Sequence, residues 1–232
     1  MARDTAIILA AAGRSRRFGQ PFLKKVFATL GGKPVWQHSA AMFAEHPAVS
    51  QQLLVIHPDD RELVRQKYAA TIAMMGIELV LGGDERWQSV ENALAKVSPE
   101  VALIAVHDAA RPNVTVSDFD EVLQAARDHG AAILGEPLHG TIKRASPAGE
   151  IQATIPRDGL FQAQTPQVFR RDWLLAAYAQ RQEAHPTDDS QLVEAVGHRV
   201  HLVPGSRLNI KITTSDDLKW AELALKTQAA SR

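Results

Sequence analysis

Short apolar runs at 6–9, 53–56, 78–81, 102–106 and 131–134 alternate with longer stretches in which apolar residues recur at helical spacing. Those amphipathic stretches lie at 34–44, 61–70, 87–96 and 118–128. Pro34 stands at a first-turn position, and Ser117 with Asp120 resembles a capping pair at the start of the fourth. The alternation predicts an α/β domain with a mostly parallel sheet and helices on both faces. Ligands of such sheets sit at the C-terminal ends of strands. The loops after Leu9, Leu81 and Val106 are therefore the places to look for chemistry.

The pattern changes after Pro137. Gly140, Pro147, Gly149 and Pro156 interrupt any helical period between 139 and 156. The segments 141–144 and 151–155 flank the turn 146–149, which predicts a protruding β-hairpin arm. The arm is polar for a core element and is expected to pack against something outside its own domain. The α/β pattern then resumes, with a helix near 172–182, strands near 199–202 and 209–212, and a last helix from Thr214 or Ser215. Neither an internal repeat nor a low-complexity tract interrupts this order.

Charge sharpens the first loop. The whole chain balances 26 basic against 26 acidic residues, yet the stretch 5–44 holds six Lys or Arg and no Asp or Glu. An apolar run feeds Ala10, Ala11, Ala12 and Gly13, and the cations Arg14, Arg16, Arg17, Lys24 and Lys25 follow. Small residues permit close backbone approach, and uncompensated cations suit a polyanion. A solvated basic loop is the plain alternative, but it has no need of the small residues. Neutral overall charge argues against a nucleic-acid binder. The absence of cysteine excludes disulfides and thiolate metal sites. Arg3 and Asp4 precede an apolar run too short for a signal peptide, and no segment reaches the about 20 apolar residues of a membrane helix. A cytoplasmic protein with no membrane or nucleic-acid partner is expected.

The first loop lacks the Gly-Lys-Ser/Thr of a P-loop and the G-x-G-x-x-G of a dinucleotide fold. What it offers is small residues and side-chain cations, the equipment of phosphoryl or nucleotidyl transfer. The second loop, Gly82-Gly83-Asp84-Glu85-Arg86 with Ser89 beyond it, can admit a flat base or be an ordinary turn. In the third, His107-Asp108-Ala109-Ala110-Arg111-Pro112, Asp108 is a hard oxygen ligand for a magnesium bound mainly by phosphates, or the salt-bridge partner of Arg111. A fourth group, Thr141, Lys143, Arg144, Arg157, Thr165 and Lys211, is spread over the second half. Lys211 lies between two isoleucines on an expected strand and so must face a polar site. The nine histidines show no metal-ligand spacing.

Taken in order, LAAAG at 9–13, Arg17, Lys25, GGDER at 82–86, Ser89, VHDAARP at 106–112, TIKR at 141–144, TPQ at 165–167, TDD at 187–189 and NIKIT at 209–213 resemble the 2-C-methyl-D-erythritol 4-phosphate cytidylyltransferase family. The resemblance spans nearly the whole chain, and HDAARP is its most specific piece. It implies a single nucleotidyltransferase domain over 1–232, with a mostly parallel mixed sheet flanked by helices and a dimerisation arm at about 139–156. It implies a homodimer that joins CTP to the erythritol phosphate with magnesium, releasing pyrophosphate.

Carried over by motif, Arg17 and Lys25 stabilise charge on the α-phosphate. Ala11, Ala12, Gly13, Ala109 and Arg111 are implied contacts of the nucleotide, and Gly83, Asp84 and Ser89 read the cytidine. Asp108 helps hold the metal and the substrate. Arg157 and Lys211 position the substrate phosphate, with Thr141 and Thr165 lining its pocket. Two departures stand out: Ser15 occupies a position where the family has glycine, and both Lys24 and Lys25 compete for the catalytic lysine register, with Lys25 favoured by the longer downstream match. The rival readings are a cytidylyltransferase for another polyol phosphate, such as ribitol 5-phosphate, and a catalytically silent nucleotide-binding module.

Overall fold

The structure, a computed structural model, describes residues 2–15, 17, 18 and 24–230; Arg16 of the basic run lies outside them. In chain order the elements are β1 (Thr5–Ala10), β2 (Thr29–Leu30), β3 (Lys33–Pro34), α1 (Val35–Ala44), β4 (Val49–Ile56), α2 (Arg61–Met74), β5 (Ile77–Leu81) and α3 (Arg86–Leu94). There follow β6 (Leu103–Asp108), α4 (Val116–His129), β7 (Ala131–Pro137), β8 (Ile142–Ala145), β9 (Ile151–Ile155), β10 (Phe161–Arg170), α5 (Arg171–Ala179), α6 (Ser190–Ala195), β11 (His201–Pro204) and α7 (Ser215–Ala230). Seven strands form one sheet in the order β11-β7-β10-β6-β1-β4-β5. β10 runs antiparallel to both its neighbours, and every other pairing is parallel.

β1 explains why its run is apolar throughout. Its alternate residues enter two different cores: Ile7 and Leu9 join Trp36, Phe43, Val64 and Phe119 from α1, α2 and α4, while Ala6 and Ile8 join Val90, Leu94, Leu174 and Val193 from α3, α5 and α6. Both faces of the sheet are covered, as a mostly parallel sheet requires. A third, smaller cluster gathers Phe18, Ala28, Leu30, Val35, Ile212 and Ala221. It ties the first loop, the chain after Lys25, the segment before α7 and α7 itself into one unit beside the C-terminal ends of β1 and β6.

The structure differs from the sequence expectation in several places beyond the small β2–β3 pair. The apolar pattern predicts no strand over β10, whose Pro166 and flanking glutamines are unusual for a central strand. Its register with β7 shifts between Ala163 and Gln167, so the proline falls where the ladder is interrupted. The short α6 was also not anticipated. The cap of α4 is Thr115 with Asp118, joined by reciprocal bonds of 2.7–3.0 Å, and Asp120 instead meets His46 Nε2 at 3.0 Å. Finally, 209–212 is not a strand. It passes the C-terminal end of β6 and the middle of β10, with its Ile212 N–H on Ala110 O at 2.8 Å and Asn209 Nδ2 on Thr165 O at 2.9 Å, and has no ladder partner among the described residues. The hairpin of β8 and β9 forms as expected, as a separate and largely exposed two-stranded sheet in which Ile151 is 67% exposed.

Candidate active site

The loops after β1, β5 and β6 converge on one cleft, lined by Ala10, Ala11, Ala12, Gly13, Lys25, Val26, Gly83, Asp84, Glu85, Arg86, Ser89, Asp108, Ala110 and Lys211. It opens into an outer basin edged by Arg14, Ser15, Arg17 and Thr213. Close approach of backbones builds the inner part. A side chain at Gly82 would place its Cβ 2.6 Å from the Ala12 Cβ and 2.5 Å from the Ser89 hydroxyl. Ser89 is buried, accepts from the Gly83 N–H at 3.2 Å and so fixes the second loop. Across the mouth, Arg14 Nη2 meets the Asp84 carboxylate at 2.6 Å, both side chains being at least half exposed.

The two adjacent lysines part company. Lys25 opens a single 3-10 turn, Lys25–Phe27, whose Val26 and Phe27 are buried, with Phe27 stacked on Tyr68. That anchoring delivers the Lys25 side chain to the cleft. Lys24 points elsewhere, with its Nζ 2.7 Å from Asp60 Oδ2. Burial, then repulsion by Lys211 and Arg17, lower the Lys25 ammonium to about 8, against a partial offset from Asp108 and Asp217. Ser15 adopts φ +52°, and its Oγ accepts from the Lys25 backbone N–H at 3.1 Å.

Asp108 ends β6 among three cations. Lys211 Nζ lies 2.6 Å from its Oδ2 and Arg111 Nε 3.9 Å from the same oxygen, while Arg86 Nε lies 3.4 Å from Oδ1. Burial opposes the ionised carboxylate, yet Arg86, Lys211 and Arg111 outweigh it and hold the group far below the ordinary carboxylate range. Lys211 reaches this point because its neighbour Ile212 is fully buried and because Asp217 accepts from the Thr213 and Thr214 N–H groups at 2.8 Å. Lys211 thus reaches a polar site as its flanking isoleucines suggested, but from a turn-rich segment in which Ile210 N–H donates to Leu208 O and Asn209 N–H to Ser206 O.

Several anticipated residues serve the frame of the site. Arg111 donates to Asn209 O at 2.7 Å and Ala163 O at 3.4 Å, so it ties three segments together and does not line the cleft. Ala109 is fully buried, and Ala110 takes the lining position. The Thr165 hydroxyl accepts from the Asp108 N–H at 3.0 Å and sits 3.2 Å from His107 Nδ1. Thr141 stands on the exposed arm and Arg157 just past its end, where an Arg157 guanidinium N–H donates to His139 O, and neither lines the cleft of its own chain. Arg86 and Asp189 carry no individual signal in the sequence, although they stand in the GGDER and TDD motifs. Arg86 Nη2 is 2.7 Å from Asp189 Oδ2.

A sequence profile of the 2-C-methyl-D-erythritol 4-phosphate cytidylyltransferase family matches residues 5–227. The chain belongs to this family. It is 42% identical to the 2-C-methyl-D-erythritol 4-phosphate cytidylyltransferase of Rhodopirellula baltica, over 97% of this chain and 96% of that one. It is 39% identical to the enzyme of the same name from Solibacter usitatus, over 97% of each. The crystal structure of 2-C-methyl-D-erythritol 4-phosphate cytidylyltransferase from Thermus thermophilus superposes with a TM-score of 0.80 at 29% identity, covering 96% of this chain and 99% of that one. The protein is a CTP-dependent nucleotidyltransferase of the non-mevalonate route to isoprenoid precursors.

Proposed function

We propose that the cleft performs the transfer through charge neutralisation and positioning, without a protein base. The observation that carries this reading is the convergence of Lys25, Lys211 and Asp108 at one point, with Arg17 on the rim. The base of CTP rests against Gly83, Asp84 and Ser89, and its triphosphate follows the Ala11-Ala12-Gly13 backbone toward Lys25 and Arg17. A phosphate oxygen of the methylerythritol phosphate attacks the α-phosphorus. The bond to the bridging oxygen of the β-phosphate breaks, and pyrophosphate leaves with that electron pair. Lys25 and Arg17 offset charge on the transferring group, and Lys211 holds the nucleophilic phosphate beside it.

The substrate phosphate is ionised at neutral pH, so no proton needs to be removed before attack. The nearest histidine fits this account. His107 is fully buried, its imidazolium lowered by that burial to about 4, with Nε2 on Arg111 O and Nδ1 beside Thr165. It is a structural neutral imidazole and not a base.

A divalent cation fits Asp108 in one specific manner. Among the described residues there is no group of three His, Cys, Asp or Glu able to cage a metal. One ionised carboxylate at the triphosphate end suits a magnesium held mostly by phosphate oxygens. When bound, such an ion would neutralise phosphate charge, and Asp108 is the residue that would hold it.

Thr141 on the arm and Arg157 at the foot of the arm complete the polyol-phosphate pocket from a second copy in a homodimer. The largely exposed hairpin supports this, since an isolated two-stranded hairpin is marginal in water. The compartment is the cytoplasm. Pyrophosphate release from CTP with methylerythritol phosphate or ribitol 5-phosphate tests the chemistry. Release is expected with the first alone, and equal turnover of the second would overturn the substrate reading.

A further inference from the structure

Arg86 is shared between two buried carboxylates. Its Nε is 3.4 Å from Asp108 Oδ1, and its Nη2 is 2.7 Å from Asp189 Oδ2. Asp189 is 1% exposed and does not line the cleft. Besides Arg86, two elements hold it: Tyr178 on α5 donates its hydroxyl to Asp189 Oδ1 at 2.6 Å, and Gln167 on β10 accepts from the backbone N–H groups of Asp189 and Ser190, each at 3.2 Å. A buried carboxylate gripped this firmly fixes the guanidinium it pairs with. The fixed guanidinium in turn takes one oxygen of Asp108 and leaves the other, Oδ2, to Lys211.

We propose that Tyr178, Asp189 and Arg86 form a positioning relay that sets the rotation of the Asp108 carboxylate and thereby the placement of Lys211. The relay rests on the role given above to Lys211. Arg86 sits closer to Asp189 than to Asp108, so Asp189 also keeps it from closing over both Asp108 oxygens. Removing the Asp189 charge releases Arg86 onto Asp108, where it competes with Lys211 for the same carboxylate. A planar fork that bridges two acids is a task for arginine and not for lysine. The plainer alternative is that the Arg86–Asp189 pair merely staples α3 to the segment before α6.

A double-mutant cycle on the full-length enzyme separates the two. Asp189→Asn, Arg86→Lys and the double variant are assayed for kcat and for KM of each substrate, with Tm measured alongside. Asp189→Asn is expected to lower kcat by about tenfold or more, the usual range for partners that orient site ligands, with KM for CTP within about twofold because the cytidine contacts are untouched. In the Arg86→Lys background the same change is expected to cost less than about twofold, since the relay is already broken. Asp189→Glu should recover part of the loss. A lowered Tm with unchanged kcat, or losses that multiply in the double variant, would overturn the relay. Should Asp189→Asn fail to fold, Tyr178→Phe removes only one hydroxyl: a kcat loss of about threefold at near-normal Tm supports the relay, and an unchanged kcat sinks it. Lys211→Ala is measured separately. Full activity in that variant would remove the role of Lys211 itself, whatever the relay does.

Discussion

The hydroxyl of Ser15 accepts the backbone N–H of Lys25 at 3.1 Å, from a residue held at φ +52°. A left-handed serine costs about 1 kcal/mol relative to glycine, and its hydroxyl offsets part of that by satisfying the first N–H of the Lys25 turn. Ser15→Gly relieves the backbone and loses the acceptor, whereas Ser15→Ala keeps the strain and loses the acceptor. The alanine variant is therefore expected to have the lower Tm of the two, and both should lose kcat by about threefold to tenfold. Calorimetry and steady-state kinetics check the order. A glycine variant with full kcat would show that the hydroxyl does not steady Lys25.

Lys24 and Lys25 give a second, sharper contrast. Lys25→Ala removes a cation from the point where charge grows, and kcat is expected to fall about 10²–10³-fold with a smaller change in KM. Lys24→Ala breaks only the contact with Asp60, a partly buried pair. It should cost on the order of 1 kcal/mol of stability and leave kcat within a few-fold. The reverse ranking would transfer the catalytic role to Lys24.

These two lysines also show what the sequence can and cannot carry. The apolar runs that became β1, β4, β6 and β7 were legible because each is buried on both faces, and burial leaves a direct imprint on residue type; the edge strand β5, with Leu79 and Leu81 exposed, was legible from its apolar run alone. The strand β10 was not, because its proline is tolerated at a register shift that only the partner strand reveals. The loops were legible as places, since small residues and cations stand out against a neutral chain. The division of labour inside them was not. Arg111 and Thr165 read as ligand contacts, yet Arg111 donates to backbone carbonyls and Thr165 accepts the Asp108 N–H. Which polar atoms a folded chain spends on itself depends on segments far away in sequence, here 52 to 98 residues distant. The same is true of Asp189, just before α6, whose partner Arg86 opens α3.

The lowered Lys25 ammonium predicts a pH dependence with a definite sign. The group is charged below about 8 and neutral above it in the free enzyme. The ratio kcat/KM for CTP should therefore fall as pH rises through about 8. Bound triphosphate adds negative charge beside Lys25, which favours the ammonium, so the fall in kcat itself should come at higher pH. Lys25→Arg should flatten the alkaline limb, because arginine does not titrate there. For stability the direction is opposite. The unfolded lysine keeps its ordinary value of 10.5, so folding disfavours the charged form, and that cost is full below about 8 and fades as pH rises toward 10.5. Lys25→Met is expected to raise Tm at pH 7 by a few degrees while abolishing turnover. A Tm that does not rise would show that the buried ammonium is not a source of strain.

The arm provides the last test, through complementation. Lys25 belongs to the cleft and Arg157 to the foot of the arm, so the two can be inactivated in different chains. Suppose the arm of one copy serves the cleft of the other. In a heterodimer of Lys25→Ala with Arg157→Ala, one cleft then has neither residue and the other has both, because the chain that keeps Lys25 receives the intact arm. Random mixing makes half of all dimers mixed, each with one good cleft of two, so activity should return to about one quarter of wild type. The two variants are unfolded and refolded together, or co-expressed with different tags, and assayed for pyrophosphate release. Rescue of that size also requires dimers, which sedimentation can confirm on the same samples. If Arg157 acts within its own chain, every cleft in every mixed dimer lacks one of the two residues. No recovery above the separate variants would then be seen, and the pocket would be complete in a single chain.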